Sequence, residues 1–143
     1  MLALTKDVKF TRVSNAVAAG TTDVTATIDM AGFNGGAFAV LFGAITSTAV
    51  TSVKLGSGSA SNGSDAVDLS NSSVTVADDD DNQMVVVELV DGMPDGDRYL
   101  TVTVDRGTAN AVIDGIIAMQ TNPKAKPVTQ DASTVVGTAL VTG

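Results

Sequence analysis

The chain has 143 residues, of which 44% are apolar, and a formal net charge of −8 at pH 7. That length supports one domain with its own core, and the apolar fraction is too high for a disordered chain. Cysteine and histidine are both absent, which excludes disulfides, zinc sites built on those residues, Ser-His-Asp and Cys-His catalysis, and histidine pH switching.

The apolar residues are mostly small, with four Phe, one Tyr and no Trp. Together with abundant Ser, Thr and Gly they suit short strands joined by turns. The longest apolar run, "AFAVLFGAI" (37–45), is about half the roughly 20 residues of a spanning helix. The start, "MLALTKDVKFTR", lacks an apolar stretch followed by a cleavage site, so no signal peptide is expected. Lys6, Lys9 and Arg12 crowd one end, and Lys124 and Lys126 sit near the other. Of the sixteen acids, all but Asp7 and Asp131 fall within 13–123, against only Lys54, Arg98 and Arg106 there. The acidic body repels nucleic acid, and the basic ends are candidates for docking on an acidic partner or a neighbouring copy.

In chain order, "LTKDVKFTR" (4–12) alternates and predicts a strand, "AAGTTD" (18–23) a loop, and "VTATIDM" (24–30) a half-buried strand with Val24, Ala26, Ile28 and Met30 inward. "GFNGG" (32–36) reads as a turn, with Asn34-Gly35 supplying positive φ. "AFAVLFGAI" is apolar on both faces and predicts a central buried strand. "VTSVKL" (50–55) is a further strand, and "GSGSASNGSD" (56–65) has the composition of a flexible loop. Short β-like pieces, "AVDL" and "SVTVA", flank "SNSS". "MVVVELV" (84–90) predicts a buried strand and "DGMPDGD" (91–97) a turn. "RYLTVTV" (98–104) is a strand with Leu100, Val102 and Val104 inward, "DRGTAN" (105–110) a turn, and "AVIDGIIAMQ" (111–120) the last strand. About eight strands with regular turn signals and no amphipathic helix predict an all-β fold: a two-sheet antiparallel β-sandwich, jelly-roll-like, with a barrel as the alternative. The sandwich spans 1–122. Pro123 and Pro127 open an extended arm, 123–143, that is either a strand donor to a neighbour or a frayed tail.

Chemistry finds little purchase. Asp78 to Asp81 lack the alternating ligands and central Gly of a calcium loop, and successive side chains of an extended chain point apart. They read as a solvated, charged turn that keeps the apolar strand behind it from pairing with other copies, with one calcium ion as the alternative. Glu88 is the sole glutamate, no carboxylate pair is nameable, and no enzyme is expected. "GSGSASNG" is no phosphate cradle. The sequons "NGS" (62–64) and "NSS" (71–73) match glycosylation sites by pattern alone. Arg98 is expected to pair with Asp95 or Asp97, and Asp105-Arg106-Gly107 to form a turn.

The order "TIDMAGFNGGAFAVLFGAI", an acidic turn entering "MVVVELV", then "RYLTVTVDRGTANAVIDGIIAMQTNPKAKPV" resembles head decoration (cement) proteins of tailed bacteriophages over about residues 22–127. The resemblance implies a non-enzymatic β-sandwich on the exterior of the virion capsid. It would be made in the host cytoplasm and be bound to the major capsid protein as a homo-oligomer, often a trimer, without cofactor, metal, nucleic acid or membrane. It transfers no catalytic residues. Lys6, Lys9, Arg12, Lys124 and Lys126 are the partner-binding candidates from charge alone. The alternative is a carbohydrate-binding or receptor-facing module of a virion, which the single Tyr and absent Trp disfavour.

Overall fold

The computed structural model describes residues 2–143. A single helical turn, α1 (Leu4–Asp7), precedes ten strands: β1 (Lys9–Ser14), β2 (Val17–Gly20), β3 (Val24–Asp29), β4 (Phe33–Ile45), β5 (Thr51–Gly58), β6 (Val67–Asp68), β7 (Val74–Val76), β8 (Met84–Leu89), β9 (Tyr99–Asp105) and β10 (Ala111–Pro123). Sheet A runs β1-β10-β4-β8, with β2 also on β10, and sheet B runs β3-β9-β5-β6, with β7 also on β5. Every pairing is antiparallel.

Counting β1/β2 and β6/β7 each as one interrupted strand gives eight. Their orders are then first-eighth-third-sixth and second-seventh-fourth-fifth. This is the wiring of a jelly roll: one long antiparallel ribbon, first strand with last, folded over so that β10 meets β4 and β9 meets β5. The fold is therefore an all-β, two-sheet sandwich.

The core lies between the sheets. Phe38, Val40, Val53, Leu100, Val102, Val104, Ile113 and Ile116 are fully buried. On β3 and β9 the alternation predicted from sequence holds, with Ala26, Ile28, Met30, Leu100, Val102 and Val104 inward. On β4 the sequence pattern is met as well: residues from Gly35 to Val40 are buried on both faces, as a central strand requires.

Several expectations give way. Residues 4–7 form a helical turn, because the Asp7 carboxylate accepts the Ala3 N–H at 2.8 Å and draws the backbone round. Residues 18–20, part of the stretch read as loop, belong to β2 and pair with β10. The positive φ near 32–36 falls on Gly32, and Asn34-Gly35-Gly36 lies inside β4. Gly36 is required there by packing: a Cβ would sit 3.0 Å from Met30 Sδ and 3.1 Å from Leu100 Cδ2. The Ser/Gly-rich stretch is fastened. Gly56–Gly58 belongs to β5, and Asp65 accepts bonds from the Ser59 N–H and hydroxyl and from the Ala60 N–H. Arg98 bypasses Asp95 and Asp97 and grips Asp29 bidentately at 2.7 and 2.8 Å. Beyond β10, the arm returns along β1. Gln130 accepts from the Phe10 N–H and donates to Val8 O, and Thr134 accepts the Arg12 N–H.

Candidate functional site

The acidic turn is the first place to look for chemistry, and three of its four carboxylates are already occupied. Asp81 accepts the Ile45 N–H and Asp78 the Thr48 N–H, pinning the connection between β4 and β5. Asp80 accepts the Ala77 N–H and the Gln83 amide. Carboxylates bonded to backbone donors close a turn and leave few lone pairs converging on an ion. Among the described residues no group of three acids is placed to hold a metal.

The basic residues divide between four places. Lys126 pairs with Asp7 at 3.2 Å and the Val128 N–H bonds Lys6 O, so Lys6 and Lys126 share the flank where α1 meets the arm. Lys9, opposite Gln120, lies near enough to Asp29 and Asp131 for its charge to favour their ionised forms. Lys124 borders a cleft with Met30, Phe33 and Arg98. Arg12 stands apart on the outer face of sheet A, opposite Ile117. The fold brings the two basic ends of the sequence to one side of the molecule, but it does not join all five residues into one patch.

The outer faces of the two sheets differ in kind. On sheet B, register aligns Thr25, Thr103 and Lys54, then Thr27, Thr101 and Gly56. The Thr27 and Thr101 hydroxyls bond each other at 2.8 Å. The loop after β5 folds onto this polar face. Gly63, at φ 73°, lies so close that a Cβ there would meet Thr101 Oγ1 at 2.7 Å. The loop thus covers the Thr27–Thr101 part of this face and leaves Thr25, Thr103 and Lys54 uncovered.

Sheet A presents the opposite. Directly opposed residues of an antiparallel pair share a face. One row therefore runs Val86, Ala39, Ile117, Arg12, and the next runs Glu88, Ala37, Met119, Phe10. Met84, Val86 and Ile117 are 64%, 53% and 37% exposed. Ala37 and Ala39 are buried in the troughs between these larger side chains, while Leu41, Met119 and Phe10 are half-buried. A shallow depression bordered by Phe10, Leu41, Gly115 and Ile117 ends against Thr134 and Val135 of the arm. The result is a flat apolar surface with Arg12 and Glu88 at its margins. Single exposed apolar residues are ordinary, but a contiguous patch on one sheet face marks an interaction surface. The sequence does not show this surface, because residues 84–90 read as a buried strand. "MVVVELV" carries no alternation that would show one side open.

No family model matches the chain, and no curated protein matches it in sequence. Solved structures are similar to it in fold. A chain of Bacillus endospore appendages, described as a family of disulfide-linked pili, is 15% identical over 82% of this chain and 90% of its own, with a TM-score of 0.49. The C-terminal family 22 carbohydrate-binding module of Clostridium thermocellum Xyn10B is 17% identical, covering 82% and 87%, with a TM-score of 0.44. The enzymatically active domain of bacteriophage CBA120 tailspike protein 4 is 12% identical over 80% of this chain but only 19% of its own, with a TM-score of 0.42. At these identities the likenesses concern the β-sandwich alone.

Proposed function

We propose that the chain is a non-catalytic structural protein of a tailed-phage virion that seats on the outside of the assembled capsid and stabilises it. The apolar outer face of sheet A carries this reading. It is flat, contiguous and formed by four adjacent strands, as suits docking on a broad protein surface rather than enclosing a small molecule. Its occupant is an apolar patch on the major capsid protein, with Arg12 and Glu88 setting orientation at the rim. Two further features support the reading. The chain has no histidine or cysteine to act as a catalytic base or thiol, and a charge of −8 disfavours nucleic acid. Binding only the assembled shell would shift the equilibrium towards assembly by mass action.

The test is cosedimentation with undecorated, expanded heads of tailed phages. The native chain is expected to pellet with the heads. Ile117→Asp, at an exposed position, is expected to melt normally yet bind at least about tenfold more weakly, a loss of about 1.4 kcal/mol. Native protein remaining in the supernatant beside intact heads overturns the proposal. Glycan binding would favour a carbohydrate-binding module in its place.

A further inference from the structure

Sheet A ends differently at its two edges. At the β1 edge, the arm supplies Gln130 and Thr134 to the backbone. At the other edge, β8 pairs only with β4. The phase of that ladder is fixed by the Phe42 N–H donating to Gln83 O at 2.9 Å. Hydrogen-bonded pairs alternate along an antiparallel ladder. Gln83, Val85, Val87 and Leu89 therefore turn their backbone groups to β4, and Met84, Val86 and Glu88 turn theirs outward, where they meet no backbone partner among the described residues. Beside this edge runs a cleft between the sheets of mixed character, with Val74, Asn71 and Ser72 across from Val86 and Glu88. Val74 is itself 39% exposed. An open strand edge beside a cleft with an exposed apolar side chain is a template for one more strand.

The same chain carries a segment with the matching properties. After the Val135 N–H bonds Asp131 O, residues 136–143 make no hydrogen bond among the described residues and belong to no strand there. The sequence "VGTALVTG" is rich in β-formers, and its residues Val136, Leu140 and Val141 are 107%, 57% and 87% exposed. In extended form Val136 and Leu140 share one side, which would fall into the cleft over Val74. The segment has no charged side chain, so it approaches an acidic body without repulsion.

Reach decides whose edge it joins. Eight residues extend about 26 Å at roughly 3.3 Å each. The segment starts outside β1, five strand spacings from a position beyond β8, or about 24 Å at roughly 4.8 Å each. Lying along the six residues of β8 needs about 20 Å more, so crossing and pairing together need about 44 Å. The segment is too short to cross its own sheet and also pair with β8, but a neighbour's edge can be brought to it. We infer that residues 136–143 of one copy add as an extra strand to the open β8 edge of a second copy. Donor and acceptor are different surfaces, so the contact is head-to-tail, closing into a ring or running on as a chain.

The test needs no capsid and so stands apart from the docking experiment. In sedimentation velocity the full chain is expected to associate as concentration rises, and a chain ending at Val135 to stay monomeric. Val86→Pro removes an N–H that β4 does not use, so it blocks the edge while keeping the internal ladder. It too is expected to be monomeric. Mixed together, the shortened chain (acceptor only) and Val86→Pro (donor only) are expected to form a one-to-one complex. A synthetic peptide of residues 135–143 should bind the shortened chain and protect the amides of Met84, Val86 and Glu88 from exchange, whether or not Val86→Pro folds. A full chain that stays monomeric at millimolar concentration, a shortened chain that associates as strongly as the full one, or a peptide that leaves those amides unprotected overturns the inference.

Discussion

Arg106 carries a full charge at 3% exposure, and no carboxylate pairs with it among the described residues. Its guanidinium donates instead to Thr22 O, Ala18 O, Ala111 O and the Thr22 hydroxyl. One side chain thus ties the end of β9 to β2, to the loop before β3 and to the start of β10. A planar fork with five donors can do this, and an ammonium cannot. Gly20 makes room, since a Cβ there would lie 2.9 Å from Nη2 of Arg106. The sequence correctly marked Asp105-Arg106-Gly107 as a turn, with positive φ at Gly107. It could not mark Arg106 as buried, because two of its acceptors lie 84 and 88 positions away. Arg106→Met leaves three carbonyls short of a donor, of which that of Ala111 is buried, and hydrogen bonds to charged groups contribute about 1.5–3 kcal/mol each. Relief of the buried charge offsets part of that. We expect a net loss of about 2–4 kcal/mol in urea unfolding, with Arg106→Lys recovering only a fraction.

Among the elements, those with strict alternation were legible and those defined by their neighbours were not. β3 and β9 show one polar and one apolar row in sequence, and the structure keeps both. β2 and β6 are too short to carry a period and exist because β10 and β5 offer them an edge. β8 reads as buried from composition, yet it is the last strand of its sheet, and only the strand order leaves Met84 and Val86 facing out. The acidic turn before β8 remains a charged approach to an apolar edge, but each of its aspartates has its own place. Asp78 and Asp81 fasten the β4–β5 connection, whereas Asp79 makes no hydrogen bond. Asp81→Ala and Asp78→Ala should each cost about 0.5–2 kcal/mol, as for other carboxylate caps of backbone N–H groups. Asp79→Ala should stay within about 0.5 kcal/mol of the native protein. Thermal unfolding separates the three, and the native midpoint should not move between millimolar calcium and chelator. A rise with calcium would show that the turn binds an ion.

At the scale of the whole molecule, carboxylates tie distant parts together and set the response to acid. Asp29 is held below its ordinary value of 3.8 first by hydrogen bonding to Arg98, and Asp65 by the Ala60 and Ser59 donors. Asp7 is lowered by the Ala3 N–H and then by Lys126 of the arm, and Asp131 by Ser133. In each case the folded state prefers the ionised form, so the stabilisation is fully present above the unfolded value and is lost as pH falls through the lower folded value. The melting midpoint should therefore hold between pH 7 and about 5 and fall steeply below about 4. Asp29→Asn should flatten part of that fall, and an identical acid profile in the variant would remove Asp29 from the account. By itself the sequence determined the β class, the central strand, the inward rows of β3 and β9, and the exclusion of histidine- and cysteine-based chemistry. All of these depend on residue type and on a local period of two. Tertiary structure alone decided the jelly-roll order, the latch at Arg106, the loop folded over Thr27 and Thr101 on sheet B, and the open apolar face and edge of sheet A. Each of those depends on which strands end up adjacent, and adjacency in this fold joins residues as much as 125 positions apart in the chain.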